Sequence, residues 1–128
     1  MVFKQRICYD TNLLVDLLLI RKRNEVLQQR DNNDDIYASS YSIGTVYYIA
    51  NQQRKVDNLK FKKFVDGISI ITVDSAVIKN ALEISGDNDL EDAIQIAACK
   101  QAGITTFATA DKKLAKLYSN ELKIELIN

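Results

Sequence analysis

The chain has 128 residues, 47% hydrophobic and 27% charged, which is one domain's length with enough apolar content to bury a core. It has no His, which excludes a Ser-His-Asp triad, a Cys-His pair, an imidazole base and any His-ligated metal; its 2 Cys build neither a disulfide framework nor a zinc site. The 17 Lys and Arg balance the 17 Asp and Glu, so wholesale basic attraction to a nucleic acid is not indicated, although local basic patches stay compatible with it.

The opening residues 1–6 lack the pattern of a signal peptide. Residues 6–9 (Arg-Ile-Cys-Tyr) form a short apolar strand that stops at Asp10. Residues 13–20 are too long an apolar run for an ordinary strand and predict a buried helix, with a further helical segment near 25–29. That run is interrupted by Asp16 and is far short of the roughly 20 residues a membrane helix needs, so a cytoplasmic protein without membrane contact is expected. The polar run 28–35 reads as a loop with a frayed helix end. A second strand covers 36–39; Ser40 or Ser42 can cap a helix over about 43–53. Asp57 opens another helix that Gly67 stops. Residues 68–73, almost wholly β-branched, are the clearest strand. Asp74 or Ser75 caps a helix that ends at Gly86, and residues 89–102 form the next, ended by Gly103. A strand at 105–109, a helix at 111–118 and a strand at 122–127 complete the chain. Strands alternating with helices predict an α/β fold: a single domain over 1–128 with a mainly parallel central sheet of about five strands flanked by helices.

In such sheets ligands bind beyond the carboxyl ends of the strands. Asp10 directly follows the first strand, Asp111 follows the fourth, and Asp92 lies in the first turn of the helix feeding that fourth strand, flanked by Asp89 and Glu91. Gathered carboxylates repel one another unless a cation sits among them, and hard oxygen donors suit Mg²⁺ or Mn²⁺. Such a site can activate water and stabilise charge on a phosphoryl oxygen without any histidine. Each Asp taken singly also reads as a helix cap; Asp89 and Asp92 form a capping-box-like pair, and Asp111 precedes a helix. On spacing alone the residues amount to a possible acidic site. Cys8 and Cys99 read as buried, reduced thiols. Most basic clusters, including Arg21-Lys22-Arg23, read as solvated helix ends, but Lys112 and Lys113 directly follow Asp111 and are placed to touch a phosphate beside the acidic site. Tyr47 and Tyr48 point about 100° apart on a helix, so one can pack while the other reaches a surface.

Four segments then resemble, in order, the motifs of the PIN-domain family. Tyr9-Asp10-Thr11-Asn12-Leu13-Leu14-Val15-Asp16 is similar to its opening strand and Asp-Thr-Asn motif. The segment from Ser39 to Ile49 resembles its second strand and following helix. Asp89-Leu90-Glu91-Asp92-Ala93-Ile94-Gln95 resembles its Asp-x-Glu-Asp-Ala segment, and Thr106-Phe107-Ala108-Thr109-Ala110-Asp111-Lys112-Lys113 its late strand and Thr-x-Asp/Asn motif. Small prokaryotic PIN proteins, VapC-like toxins of toxin–antitoxin pairs among them, are the nearest in pattern. The resemblance implies a Mg²⁺- or Mn²⁺-dependent endoribonuclease cleaving single-stranded or structured RNA, a cognate antitoxin protein as partner, and a homodimer. It places Asp10, Asp92 and Asp111 at the metal-binding acidic positions, with Asn12 ordering the site and Thr109 as the hydroxyl on the last active-site strand. One departure stands out. Many PIN nucleases carry a Glu in the helix after the second strand, and here Thr45 matches that position; no acidic residue lies between Asp35 and Asp57. Glu91 compensates as a further metal ligand, Thr45 supports the site by holding a water, or the domain is a catalytically weak scaffold that binds RNA or a protein partner. A phosphoacceptor receiver-like domain fits the size but wants an acidic pair after the first strand, where Asp10 is followed by Thr11.

Overall fold

The computed structural model describes residues 4–21 and 23–128. Residues 1–3, part of the stretch read above against a signal peptide, and Lys22 of the basic trio lie outside the described residues. The elements run β1 (Gln5–Tyr9), α1 (Thr11–Leu19), α2 (Asn24–Asn33), β2 (Asp34–Ser39), α3 (Ser40–Gln53), α4 (Asn58–Asp66), β3 (Ser69–Ile71), α5 (Ser75–Ser85), α6 (Leu90–Gln101), β4 (Thr106–Thr109), α7 (Lys112–Leu117) and β5 (Lys123–Leu126). All five strands are parallel, in the order β3-β2-β1-β4-β5. The expected α/β architecture is therefore the one observed. No helix among the described residues is long and apolar enough to cross a membrane.

Alternation along the central strands splits the core in two. Ile7 and Tyr9 of β1, Ile36 and Ala38 of β2 and Ala108 of β4 pack with α1 and α3 through Leu13, Leu14, Val15, Val46 and Ala50. Cys8 and Phe107 face the other way, onto Val77 and Ala81 of α5 and Ala93, Ile96 and Ala97 of α6. Both Cys8 and Cys99 are free and buried in this second layer, as expected. Burial on both faces at residues 7–9 and 106–109 explains why those stretches read as near-continuous apolar runs.

The structure corrects three expectations. Residues 28–35 are not a loop: α2 continues to Asn33 and β2 begins at Asp34 without a break. The polar composition is misleading because Asp34 is buried as an ion pair. Arg30 Nε lies 3.2 Å from its carboxylate and Arg30 Nη1 2.6 Å from Glu125, while the Tyr9 hydroxyl donates to Asp34 at 2.6 Å. The cap of α3 is Ser39, whose Oγ accepts from Ser42 N–H at 3.0 Å; the helix starts three residues earlier than expected, and Ser42 is buried against Ser39. The clearest predicted strand is the shortest observed. β3 is an edge strand whose ladder to β2 ends at Ile71, after which Val73 N–H donates to the Ser40 hydroxyl at 3.1 Å. Asp57 and Gly67 bound α4 as expected, with Asp57 accepting from Lys60 N–H at 2.8 Å.

Candidate active site

The chain runs from β1 outward through β2 to β3, then crosses back to place β4 and β5 on the other side of β1. The strand order reverses between β1 and β4, and the crevice beyond their carboxyl ends is where a doubly wound sheet takes a ligand. Asp10 leaves the end of β1, and Thr109 and Asp111 leave the end of β4. Their ladder registers Cys8 with Phe107 and Tyr9 with Ala108, and Asp10 N–H donates to Ala108 O at 2.9 Å, so Asp10 and Thr109 emerge side by side.

Asp10 sits at the N-cap position of α1, yet its side chain makes no capping bond. The carboxylate turns into the crevice instead. Oδ1 accepts from Gln95 Nε2 at 3.2 Å, and Oδ2 from the Thr109 hydroxyl at 2.7 Å. Asp10 is only 4% exposed. Burial pushes its carboxyl above the ordinary carboxylate range, and the Thr109 and Gln95 bonds oppose that rise. A helix start that forgoes its cap to bury a carboxylate gives up about 1 kcal/mol of local stability. The other acidic candidates divide between the two readings given above. Asp89 is a cap, accepting from Asp92 N–H at 3.2 Å. Asp111 is a cap as well: its Oδ1 accepts from Lys113 N–H and Leu114 N–H of α7 at 2.9 and 3.2 Å, and its residue is exposed at the mouth of the crevice.

Two pockets meet at Asp111. One, of about 400 Å³, includes Asp10, Asn12, Asp16, Arg21, Arg23 and Asp111 in its lining; the other, of about 320 Å³, includes Asp89, Asp92, Asp111 and Lys113. Burial, then Asp10, Asp89, Asp111 and Glu91, push the Asp92 carboxyl up to about 7. Glu91 is half-buried and raised by burial first, with Asp89 and Asp10 adding to it. Among the described residues no three acidic side chains already stand around one ion position. The donors nonetheless suit a divalent cation: they are hard carboxylate oxygens, and their mutual repulsion is what a cation relieves. Mg²⁺ is commonly held by one or two carboxylates plus water and substrate phosphate rather than by a protein cage.

The raised carboxyls have a consequence for stability. A carboxyl whose folded-state pKa lies above its unfolded value binds its proton more tightly in the folded state. Its contribution is fully present below about pH 4 and is lost as pH rises towards Asp92's value of about 7. In EDTA, Asp92→Asn should therefore gain Tm relative to wild type at pH 7.5 and lose that advantage at pH 4. Mn²⁺ at pH 7.5 should raise the wild-type Tm and leave the variant's less changed. Equal wild-type and variant melting curves at both pH values would contradict this account of Asp92.

The remaining expected residues are placed as follows. Thr109 is fully buried and links the Asp10 carboxylate to the Asp111 backbone: its hydroxyl donates to Asp10 Oδ2 and accepts from Asp111 N–H at 3.0 Å. Asn12 is exposed and lines the Asp10 pocket. Thr45 is half-buried, and its hydroxyl donates to Tyr41 O of its own helix at 3.1 Å, which spends its proton within α3. Lys112 and Lys113 are exposed at the start of α7, with Lys113 beside the Asp92 pocket. Tyr47 packs edge-on against Phe61, with ring centroids 5.0 Å apart, while Tyr48 is exposed.

Gln95 was not singled out from the sequence, and it organises the site. It is 3% exposed, one turn beyond Asp92 on α6. Its Oε1 accepts from Thr11 N–H at 3.0 Å and from the Thr11 hydroxyl at 3.2 Å, and its Nε2 donates to Asp10. The lone polar residue in the run Ala93-Ile94-Gln95-Ile96-Ala97-Ala98 is the signal that points to it. Gln95→Leu should cost about 1–3 kcal/mol by orphaning Thr11 N–H. Losing a bond that favours ionised Asp10 should also move the acid limb of any activity profile to higher pH; an unmoved limb would show that Gln95 does not tune Asp10.

Comparison with known proteins supplies the family. A family model described as "PIN domain" matches residues 7–120. No curated protein matches the chain in sequence. Among solved structures, the fold is similar to a toxin–antitoxin complex from Klebsiella pneumoniae (TM-score 0.73, 17% identity, 93% of this chain and 95% of that one). It is similar to VapBC2 from Rickettsia felis bound to a promoter DNA fragment (TM-score 0.73, 16% identity, 97% and 100%). It is also similar to VapC20 of Mycobacterium tuberculosis, described as a sarcin–ricin-loop cleaving toxin (TM-score 0.71, 15% identity, 86% and 93%). At such identities these structures speak for the fold, while the family match spans most of the sequence: this chain belongs to the PIN-domain family, a family of nucleases.

Proposed function

We propose that this protein is a divalent-metal-dependent endoribonuclease, the toxin of a toxin–antitoxin pair. The observation that carries the reading is Asp10: a buried carboxylate at the sheet's switch point, withheld from capping its helix and held by Gln95 and Thr109 in a crevice shared with Asp111. Asp10, Asp92 and Asp111 would hold Mg²⁺ or Mn²⁺, with Glu91 as a further ligand. When bound, the cation supplies charge for the scissile phosphodiester and lowers the pKa of attacking water. The chain's own residues do the rest. Gln95 and Thr109 favour the ionised form of Asp10 and fix its orientation, Asn12 lines the same pocket, and Lys112 and Lys113 receive RNA phosphate at the start of α7. The relatives' toxin and antitoxin descriptions support an antitoxin partner, and the exposed Tyr48 on α3 is available to a homodimer contact. Cytoplasmic RNA would be the substrate.

A second reading is favoured by Thr45, which stands where many PIN nucleases carry a Glu and whose hydroxyl is turned to its own helix. On that reading the domain binds RNA or protein without cutting. Incubating purified protein with mixed single-stranded RNA in Mn²⁺, in EDTA, and as Asp10→Asn separates the two. Metal-dependent cutting lost in the variant supports the nuclease. Folded, antitoxin-free protein that neither cuts nor binds Mn²⁺ calorimetrically at millimolar concentration supports the scaffold.

A further inference from the structure

The pocket lined by Asp10 and Asp111 is also lined by two arginines and a third carboxylate, Asp16. Asp16, one helical turn and a half into α1, is 3% exposed, and two guanidiniums close on it: Arg21 Nε at 2.8 Å from Oδ1 and Arg23 Nη1 at 3.0 Å from Oδ2. One carboxylate against two guanidiniums leaves this cluster with a net positive charge in the pocket that Asp10 and Asp111 also line. Donors remain uncommitted. Arg21 meets Asp16 through Nε, which leaves its two terminal nitrogens, and Arg23 Nε is buried without a hydrogen-bond partner. The backbone that brings the two arginines there is strained. Ile20 and Arg23 both take left-handed conformations, with φ of 50° and 60°. A β-branched residue in that region is a genuine outlier, costing about 1–2 kcal/mol. Strain of this kind persists where the surrounding structure over-determines it, and it clusters at functional sites. A helix-ending turn needs neither two arginines on one carboxylate nor an isoleucine in a glycine conformation.

We propose that Arg21 and Arg23, clamped on Asp16, form an anion subsite that holds the RNA phosphate adjacent to the scissile one. The inference rests on the nuclease reading of the crevice and adds a binding locus to it. Guanidiniums fixed in a fork suit a phosphodiester's two oxygens. Asp16 is a positioning residue: it pre-orders both side chains, so RNA need not. Together with Asp10 and Asp111, which line the same pocket, the arginines would fix the polarity of the strand across the site.

The test uses the Asp10→Asn protein, which does not cut on the nuclease reading, and a fluorescent single-stranded RNA titrated in Mg²⁺ at several salt concentrations. Adding Arg21→Gln and Arg23→Gln should weaken binding about tenfold or more. It should also flatten the slope of log K against log salt by about 0.7, the value for one phosphate contact on a single strand. Lys123→Gln with Lys100→Gln, which sit together at the amino-terminal end of β5 away from the crevice, is the charge-matched control and should leave the slope unchanged. Arg21→Lys with Arg23→Lys keeps the charge and the Asp16 partners, and should retain the slope while losing part of the affinity. An unchanged slope in the folded Arg→Gln protein overturns the proposal, as does a Lys100 and Lys123 control that flattens it equally. If the Arg→Gln protein does not fold, the Arg→Lys protein decides: affinity and slope both at wild-type values overturn the fork. Failure of the nuclease reading shows separately, as absence of metal-dependent cutting by the wild-type protein.

Discussion

Asp10→Asn is expected to reduce metal-dependent RNA cleavage by about a thousandfold or more while leaving the melting temperature unchanged or raised. The two halves of the expectation come from the same geometry. Asp10 is buried more deeply than Asp92, Asp111 and Glu91, and burial disfavours its charge. Removing that charge relieves a cost of folding. The bonding around it can be rebuilt. Asparagine's oxygen still accepts from Gln95 Nε2. Its amide then faces the Thr109 hydroxyl, which has two acceptor lone pairs and already accepts one bond from Asp111 N–H. The fold keeps its contacts, and on the nuclease reading a bound cation would lose one of its negative ligands. Cleavage assays and thermal melts in EDTA on the same preparation check the pair of outcomes. Wild-type cleavage by the variant would remove Asp10 from the chemistry, and a collapse in Tm would mean that lost cutting reports only a lost fold.

The sequence announced the carboxylates more readily than the residues that hold them. Asp10, Asp92 and Asp111 stand at element boundaries, where alternation of strands and helices tells which end of the sheet they share. Gln95 is hidden because it lies within a helix, 85 positions from the carboxylate it bonds, and only tertiary packing brings α6 against the start of α1. Arg21 and Arg23 look like a solvated helix end because their partner, Asp16, sits within an apolar run whose burial is fixed only by the fold. The strands were legible from apolar runs that are buried on both faces. The span 28–35 was not, since composition reports polarity and the structure spends that polarity on an internal ion pair. Local propensity carries no information about a guanidinium reaching Glu125, 95 positions away.

That ion pair carries the largest expected effect on stability. Asp34 is 7% exposed, and Arg30 is the cation beside it; the Tyr9 hydroxyl is its other close partner. Arg30→Met keeps the apolar stem against the sheet and deletes the charge, leaving a buried carboxylate with one hydroxyl. Removing one partner of a buried pair costs about 3–5 kcal/mol, here towards the lower end because Arg30 and Glu125 are partly solvated. For a chain of this length that is a drop of roughly 10 °C in Tm. Glu125, released from Arg30, relaxes into water. The pair itself is imperfect: Arg30 Nε and Nη2 make no hydrogen bond despite being buried. Its net worth over a neutral arrangement is therefore small, and the penalty lies in breaking it on one side. Arg30→Met combined with Asp34→Asn, which still accepts the Tyr9 hydroxyl, should recover most of the lost stability, so the two changes should be far from additive. Thermal melts of the single and double variants read this directly. Additive losses would show that Arg30 stabilises the junction of α2 and β2 through its stem alone and that the buried charge is answered elsewhere. Recovery in the double variant would show that the unbroken passage from helix to strand survives without the pair, held by the β1–β2 ladder that registers Gln5 against Asp34.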